Sequence, residues 1–285
     1  VDAGSWSGPG WPGGLPQEGL CEEERAVDPR VVAIGVVEEE SRSPLAAVAF
    51  VGCHGTALGP ACDLYSPDWA GMAARSARVR LIGEGDSPLV VAVAASAAGD
   101  VTPMRANMDR GFALAERVGD AIGEAVALAA KKALDQAKRF DLDVRMEEFA
   151  PAGAILEGLQ DTRLSETWSM GVPTLGGSEE SRTWLHDVQL ALEGMKGSYY
   201  LRANPHYPKM PAFGILQEVL HWPIGLLPAP KMCLYLLRIG SHLFATVPCE
   251  PTVMAAHHIE RSLRAASDLD AATIIGYAAD YCGYL

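Results

Sequence analysis

Four short segments of this 285-residue chain place reactive polar side chains at the ends of apolar stretches. They are residues 52–56 (GCHGT), 99–103 (GDVTP), 247–252 (VPCEPT) and 280–284 (DYCGY). In α/β folds, ligand sites gather at strand ends, because the scaffold is rigid there and the backbone is free to turn. We therefore expect the functional side chains to lie in these four turns.

Three residue types in these turns can bind zinc. His54, Glu250 and a tyrosinate are competent ligands, and a catalytic zinc takes about three protein ligands while one position stays open for water. The spacing is a weak signal, because His54 and Glu250 are far apart in sequence and no HExxH-like pair links them. Taken alone, a histidine after an apolar strand is more commonly a hydrogen-bonded structural residue, so both interpretations of His54 stay open.

The hydrophobic pattern predicts the elements that must position these turns. Helices are predicted at residues 107–139 and 251–266, the first from apolar residues at three- and four-residue steps and the second from a proline near its first turn. Strands and helices mix without strict alternation, so we expect a layered α/β domain of mixed β-sheets flanked by helices. The predicted strands are 31–37 and 45–53 as a hairpin, 79–83, 89–96, an edge strand within 140–160, a strand pair at 232–249, and 271–279.

The chain divides into an arm and one domain. Residues 1–26 are rich in Gly, Pro and Trp and predict an irregular N-terminal arm. Residues 27–285 then form the domain. Within it, residues 161–230 are loop-rich, and so long a stretch of low regularity is usually functional. We expect that region to lie on the substrate side of the site.

The composition excludes some functions. The formal net charge of −13 should repel nucleic acid and anionic membrane surfaces, and no apolar run reaches the ~18 residues that span a bilayer. Six cysteines without a CxxC pair do not form the pattern of a disulfide framework, which favours free thiols in a reducing compartment. We expect a soluble protein without a nucleic-acid partner or a membrane span, with the cytoplasm favoured over secretion.

Longer motifs around the four turns resemble a known family. The segments VDPRVVAIGVV and AFVGCHGTALGP, SPDWAGMAA, AASAAGDVTPM, LLRIGSHLFATVPCEPTVMAAHHI, and GYAADYCGYL resemble motifs of the neutral/alkaline ceramidases and come in the same order. The resemblance covers most of residues 27–285. It implies the fold of that family's N-terminal catalytic domain, in a partial and divergent form that lacks the family's C-terminal β-sandwich domain.

The resemblance implies a zinc site and its ligands. His54 matches the family's second zinc-binding histidine, and Glu250 matches the zinc-binding glutamate. Tyr281 matches the zinc-binding tyrosine, with Tyr284 as the alternative. The family's first zinc-binding histidine has no counterpart here. We therefore expect a second polypeptide or a missing segment to supply it; the alternative is that this chain has lost that ligand and the metal with it.

The resemblance also implies residues that act on the substrate. Thr102 stands where the family has a serine close to the scissile amide, so a hydroxyl is kept. Asp68 matches an acidic residue near the site. His257, with His258 beside it, follows Glu250 on the predicted helix where the family has paired arginines; it would contact substrate or shuttle protons, or else lie on a solvated helix face.

These expectations combine into one functional hypothesis and two alternatives. The chain is predicted to be a zinc-dependent amidohydrolase that hydrolyses an amide (N-acyl) bond of a lipid or small molecule with metal-activated water. The first alternative is a catalytically inactive structural or regulatory subunit that keeps the ceramidase-like scaffold. The second is a hydrolase of a small polar amide or lactam. Cys53, Cys249 and Cys282, which flank the expected ligands, are predicted to face the core rather than the metal.

Overall fold

The computed structural model describes residues 27–59, 62–85, 87–103, 111–156, 162–165, 171–177, 182–191, 211, 231–267 and 269–283. The predicted arm at 1–26 and most of the loop-rich region at 161–230 lie outside these residues. The described residues fall into two units: 27–146 with 234–283, and 147–233. No helix among them is long and apolar enough to cross a membrane.

The elements alternate irregularly along the chain, as the hydrophobic pattern predicts. The strands are β1 Val32–Val37, β2 Pro44–Val51, β3 Val90–Ala95, β4 Leu142–Phe149, β5 Ile155–Leu156, β6 Thr162–Arg163, β7 Met232–Ile239, β8 His242–Thr246 and β9 Ala271–Ile275. The helices are α1 Asp68–Ile82, α2 Phe112–Asp135, α3 Val172–Leu175, α4 Trp184–Asp187 and α5 Val253–Ala266.

The first unit contains two mixed sheets. In the first sheet, of order β1-β2-β3, β1 and β2 form the expected antiparallel hairpin, and β2 runs parallel to β3 through the α1 crossover. The second sheet has the order β4-β7-β8-β9, with β4 at an edge as predicted and running on past Met146 into the second unit. Its β7–β8 hairpin turns at Gly240, and β8 runs parallel to β9 through α5. This confirms the layered α/β class with mixed sheets and flanking helices.

One predicted strand is wrong. Residues 79–83 form the last turn of α1 and its C-terminal cap, because the buried face of that helix recurs every fourth residue at Trp69, Ala73 and Ala77. A short apolar run cannot be assigned to strand or helix from its own residues.

Glycine allows the two long helices to approach closely. A Cβ atom on Gly119 of α2 would lie 2.4 Å from the Cβ of Met72, and one on Gly123 would lie 2.6 Å from the Cβ of Ser76. Because real carbon atoms do not come so close, larger residues at these positions would push α2 away from α1. The helix pair therefore holds its position over the first sheet through two residues that lack a side chain.

The two sheets share one hydrophobic core. Val51 of β2, Ala245 of β8 and Ile274 of β9 are buried in the same cluster as Leu114 and Val126 of α2. The two sheets are also joined by a hydrogen bond: the hydroxyl of Ser96, the residue after β3, donates to the carbonyl of Ile274 on β9 at 2.8 Å. The C-terminal ends of β2, β3, β8 and β9 are thereby brought to one edge of the core.

Candidate functional site

The four turns expected to carry function meet where these strands end. Backbone hydrogen bonds join each turn to the next, so the loops hold one another and do not depend on solvent for their conformation. The bonds run from the N–H of His54 to the carbonyl of Val101 at 2.8 Å, from Gly99 to Pro251 at 2.9 Å, and from Glu250 to Gly283 at 2.7 Å.

Three predicted metal ligands lie together at this junction. The Nε2 atom of His54 is 3.2 Å from Oε2 of Glu250, and Glu250 is buried, with 6% of its surface exposed. The Tyr281 hydroxyl donates a hydrogen bond to the other carboxylate oxygen, Oε1. His54 and Glu250, which are nearly two hundred positions apart in sequence, are thus in direct contact. Tyr284, the alternative tyrosine, lies outside the described residues.

A fourth side chain, which sequence reasoning missed, completes this cluster. The Tyr277 hydroxyl donates to Oε2 of Glu250 at 2.9 Å and lies 3.0 Å from Nδ1 of His54. Its ring packs edge-on against the imidazole, with the ring centroids 5.9 Å apart. The predicted strand, 271–279, placed Tyr277 inside the strand, whereas β9 ends at Ile275 and Tyr277 lies in the turn that follows.

Thr102 lies in the same junction and pairs with a second hydroxyl. Its Oγ1 atom is 3.3 Å from Oγ1 of Thr56, in the turn that also carries His54. The backbone of the preceding residue, Val101, is bound to His54. The hydroxyl pair thus connects the two turns that the His54–Val101 backbone bond also joins.

Asp68 supports the His54 turn through its backbone rather than through the His54 side chain. This buried carboxylate accepts hydrogen bonds from the N–H groups of Ala57 at 3.1 Å, Leu58 at 2.7 Å and Trp69 at 2.6 Å. The indole of Trp69 donates to the carbonyl of His54 at 2.6 Å. Asp68 thus fixes the turn that presents the imidazole, which is a positioning role.

We expect Asp68→Ala to destabilise the fold by about 3 kcal/mol, because buried N–H groups lose their acceptor. Asp68→Asn should cost about half as much, since it keeps one acceptor oxygen and tolerates the positive φ of 53° at this position. Urea unfolding of both variants, beside the exposed control Asp63→Asn, measures this. Equal stability of Asp68→Ala and the control would contradict the positioning role.

Asp100 connects the second turn to the helix that follows Glu250. Its Oδ1 atom accepts a hydrogen bond from the N–H of Val253 at 2.9 Å, in the first turn of α5. Burial raises the pKa of Asp100, while the bond from Val253 and the proximity of His54 oppose that rise. Sequence alone offered no signal for this contact, because the helix it caps is more than a hundred residues away.

His257 lies in a different cluster from the predicted ligands. Its Nδ1 atom is 3.7 Å from Oε2 of Glu260, which also accepts a hydrogen bond from Arg30 at 2.8 Å. The Nε2 atom is buried, and the described part of the chain offers it no hydrogen-bond partner. The structure therefore does not bring His257 to His54 and Glu250, and this placement lends no support to its predicted catalytic role.

The three cysteines that flank the ligands are buried. Burial raises the pKa of Cys249 to about 12, with the proximity of Cys282 and Glu250 contributing, and burial likewise raises the pKa of Cys282. Cys53 and Cys249 belong to the shared core. Their surroundings favour the interpretation that these cysteines pack in the interior and do not face the metal.

We expect Cys249 to resist alkylation in the native protein. Near pH 8, a thiol with a pKa of about 12 has a thiolate fraction about three orders of magnitude below that of an ordinary cysteine. Iodoacetamide labelling followed by peptide mass mapping should modify the half-exposed Cys62 long before Cys249, with the difference abolished in denaturant. Labelling of Cys249 as fast as Cys62 would contradict the burial of its thiol.

The donors at this junction fit a zinc ion only when the tyrosines are included. Among the described residues, no three His, Cys, Asp or Glu side chains are grouped to hold a metal. However, the carboxylate of Glu250 is in direct contact with the imidazole of His54 and with the phenol of Tyr281, which brings nitrogen and oxygen donors together. Three such donors are the number that a catalytic zinc takes, so the residues present fit the ion.

Comparison with known proteins identifies this fold. No protein-family model and no curated protein sequence matches the chain. Among solved structures, one described as ceramidase complexed with C2 matches with a TM-score of 0.67 at 20% identity, over 94% of this chain and 44% of that chain. The neutral ceramidase from Pseudomonas aeruginosa matches with a TM-score of 0.63 at 22% identity, over 93% and 42%. This chain spans less than half the length of either structure. The resemblance predicted from the sequence is confirmed in the fold: the chain has the fold of part of neutral ceramidase, in a divergent form.

Proposed function

We propose that this chain carries the metal site of a zinc-dependent amidohydrolase that hydrolyses an amide (N-acyl) bond. The observation that carries the proposal is the contact of 3.2 Å between Nε2 of His54 and Oε2 of the buried Glu250, with tyrosine hydroxyls on both carboxylate oxygens. The site lies at strand ends of a ceramidase-like fold, where this fold class places its ligands.

In this proposal, His54, Glu250 and Tyr281 hold the zinc ion. When bound, zinc supplies Lewis-acid polarisation of the amide carbonyl and activation of water near neutral pH. Glu250 is suited to a cation because, within the described residues, its ion-pair partner is His54 rather than a lysine or arginine. A buried carboxylate without a permanent cation is costly, and a metal removes that cost.

Other residues of the chain orient the site and the substrate. The Thr102 hydroxyl would donate to the amide oxygen as negative charge develops there, because a fixed donor stabilises such a charge without reorganising. The neighbouring Thr56 hydroxyl, at 3.3 Å, holds it in place. Asp68 keeps the His54 turn in the conformation that presents the imidazole.

A second polypeptide or a further segment that completes the domain belongs to the same proposal. The match to the ceramidase structures covers nearly all of this chain but less than half of theirs. The loop-rich residues 161–230 of this chain would contribute to the substrate side. The class of amide, lipid or small and polar, depends on how open and how apolar that side is.

Zinc content and turnover, measured on the protein purified from its native gene context, test this proposal. We expect about one zinc per chain and hydrolysis of a fluorogenic N-acylsphingosine that stops on chelation and returns with zinc. Intact mass of every co-purifying chain tests the partner. If the protein binds zinc but hydrolyses only a small polar amide, the alternative of a small-amide or lactam hydrolase is favoured. Absence of both zinc and turnover would overturn the proposal in favour of a catalytically inactive subunit.

A further inference from the structure

Three donor atoms from three different turns form a compact triangle at the site. Nε2 of His54 and Oε2 of Glu250 are 3.2 Å apart, the Tyr277 hydroxyl is 2.9 Å from that Oε2, and it is 3.4 Å from that Nε2. Tetrahedral zinc with bonds of roughly 2.0–2.1 Å separates its ligand atoms by about 3.3 Å. The three atoms are therefore spaced like one face of a zinc coordination shell.

The backbone of Tyr277 is held in an unfavourable conformation that aims its side chain at this triangle. Its φ is +58°, a left-handed value that is unfavourable for a bulky residue. A backbone hydrogen bond holds this conformation: the N–H of Tyr277 donates to the carbonyl of Cys249, the residue before Glu250, at 3.0 Å. Backbone strain of this kind concentrates at functional sites.

Tyr281 is the less constrained of the two tyrosines. It is 57% exposed and contacts Oε1, the carboxylate oxygen that lies outside the triangle. Tyr277 is half-buried, contacts both His54 and Glu250 through its hydroxyl, and packs edge-on against the imidazole. A ligand that is already ordered loses less conformational entropy when it binds.

From this geometry we propose that Tyr277 is itself a zinc ligand, which completes a three-donor face with His54 and Glu250 inside this one chain. The inference rests on the proposed metal site and changes its composition. The three-donor face is then formed by His54, Glu250 and Tyr277, with Tyr281 bound to the carboxylate oxygen that lies outside that face.

The decisive measurement is the tyrosinate difference spectrum as zinc is titrated into the metal-free full chain, with affinity measured by competition against a chromogenic chelator. Because zinc takes a phenol as phenolate, a bound tyrosine produces a tyrosinate band with each zinc bound. We expect Tyr277→Phe to lose that band, wholly or by one tyrosine per zinc, and to weaken zinc binding by more than about 100-fold, since loss of a residue behind a ligand already costs 10–100-fold. Tyr235→Phe, on β7, is the matched control and should change neither quantity.

The outcomes separate this inference from the proposed function. If Tyr277→Phe binds zinc with an undiminished tyrosinate band while Tyr281→Phe loses it, Tyr277 only orients Glu250 and the inference is overturned, although the metal site stands. If the wild-type chain takes up no zinc at saturating concentration, the proposed function fails and the ligand assignment fails with it. Near-ultraviolet circular dichroism of each variant establishes that the aromatic packing of the fold is kept.

Discussion

Replacing Glu250 by alanine should abolish stoichiometric zinc binding and lower amide hydrolysis by more than about 100-fold, a larger loss than removal of a residue behind a ligand causes. The carboxylate is the one group that contacts all the other donors: it meets His54 at 3.2 Å and accepts hydrogen bonds from both Tyr277 and Tyr281. Its loss therefore separates the ligands from one another as well as removing one of them.

Glu250→Gln distinguishes loss of charge from loss of structure. The amide keeps the size of the side chain and one acceptor oxygen for a phenol, so we expect the fold to keep its stability while zinc binding falls nearly as far as in Glu250→Ala. Zinc content by mass spectrometry and turnover on the same preparation measure the two effects, with the exposed Glu84→Gln as the control. Full zinc occupancy and turnover in Glu250→Gln would contradict the assignment of this carboxylate as a ligand.

The sequence predicted that the site lies at strand ends, but it did not predict every residue that contributes to the site. Strand-end turns carrying His54, Glu250 and Tyr281 were identifiable because an apolar run followed by a polar turn marks where a buried strand reaches the surface. That these turns come together depends on two parallel strand pairs, each with a helical crossover. Local pattern does not state which strand ends become neighbours.

What sequence reasoning missed depends on long-range contact or on backbone conformation. Tyr277 is one of two tyrosines in a short segment, and its importance follows from a positive φ that no propensity scale assigns to tyrosine. Asp68 was predicted as an acidic residue near the site, yet its three backbone contacts depend on the path of the loop after His54. His257 was expected to contact substrate or shuttle protons because it follows Glu250 on a helix, but its described contact is with Glu260, three residues further along the same helix.

Arg30, Asp28 and Glu260 form an ion-pair cluster beside His257. Arg30 bonds Asp28 through Nε at 2.8 Å and donates from Nη2 to Glu260 at 2.8 Å, and both carboxylates are buried. Glu260 also accepts from the N–H of Ile274 on β9 at 3.3 Å. One guanidinium thus pairs with two buried acids, one in the segment before β1 and one on helix α5, and Glu260 extends the connection to β9.

We expect Arg30→Ala to lower the free energy of unfolding by about 2–3 kcal/mol. Removing one partner of a buried ion pair costs about 3–5 kcal/mol because the other charge stays buried, and solvent screening reduces this since the Arg30 side chain is 44% exposed. Urea unfolding measures the loss. Arg139→Ala, which breaks a fully solvated pair with Glu39, should change stability by less than about 0.5 kcal/mol, and an equal effect of the two variants would contradict the role of the cluster.

The pH dependence of that loss identifies its electrostatic origin. Burial acts to raise the pKa of Asp28, but hydrogen bonds from Arg30 and the charges of Arg30 and His257 hold it below its ordinary value. A carboxylate whose folded pKa is depressed stabilises the fold above its unfolded pKa of about 4, and this contribution disappears as the pH falls through the folded value. Without Arg30, burial dominates and the sign reverses, so ionised Asp28 destabilises the variant at neutral pH and protonation relieves it. The stability difference between wild type and Arg30→Ala should therefore be largest near neutrality and shrink below about pH 4, whereas a difference independent of pH would assign the loss to packing of the arginine stem.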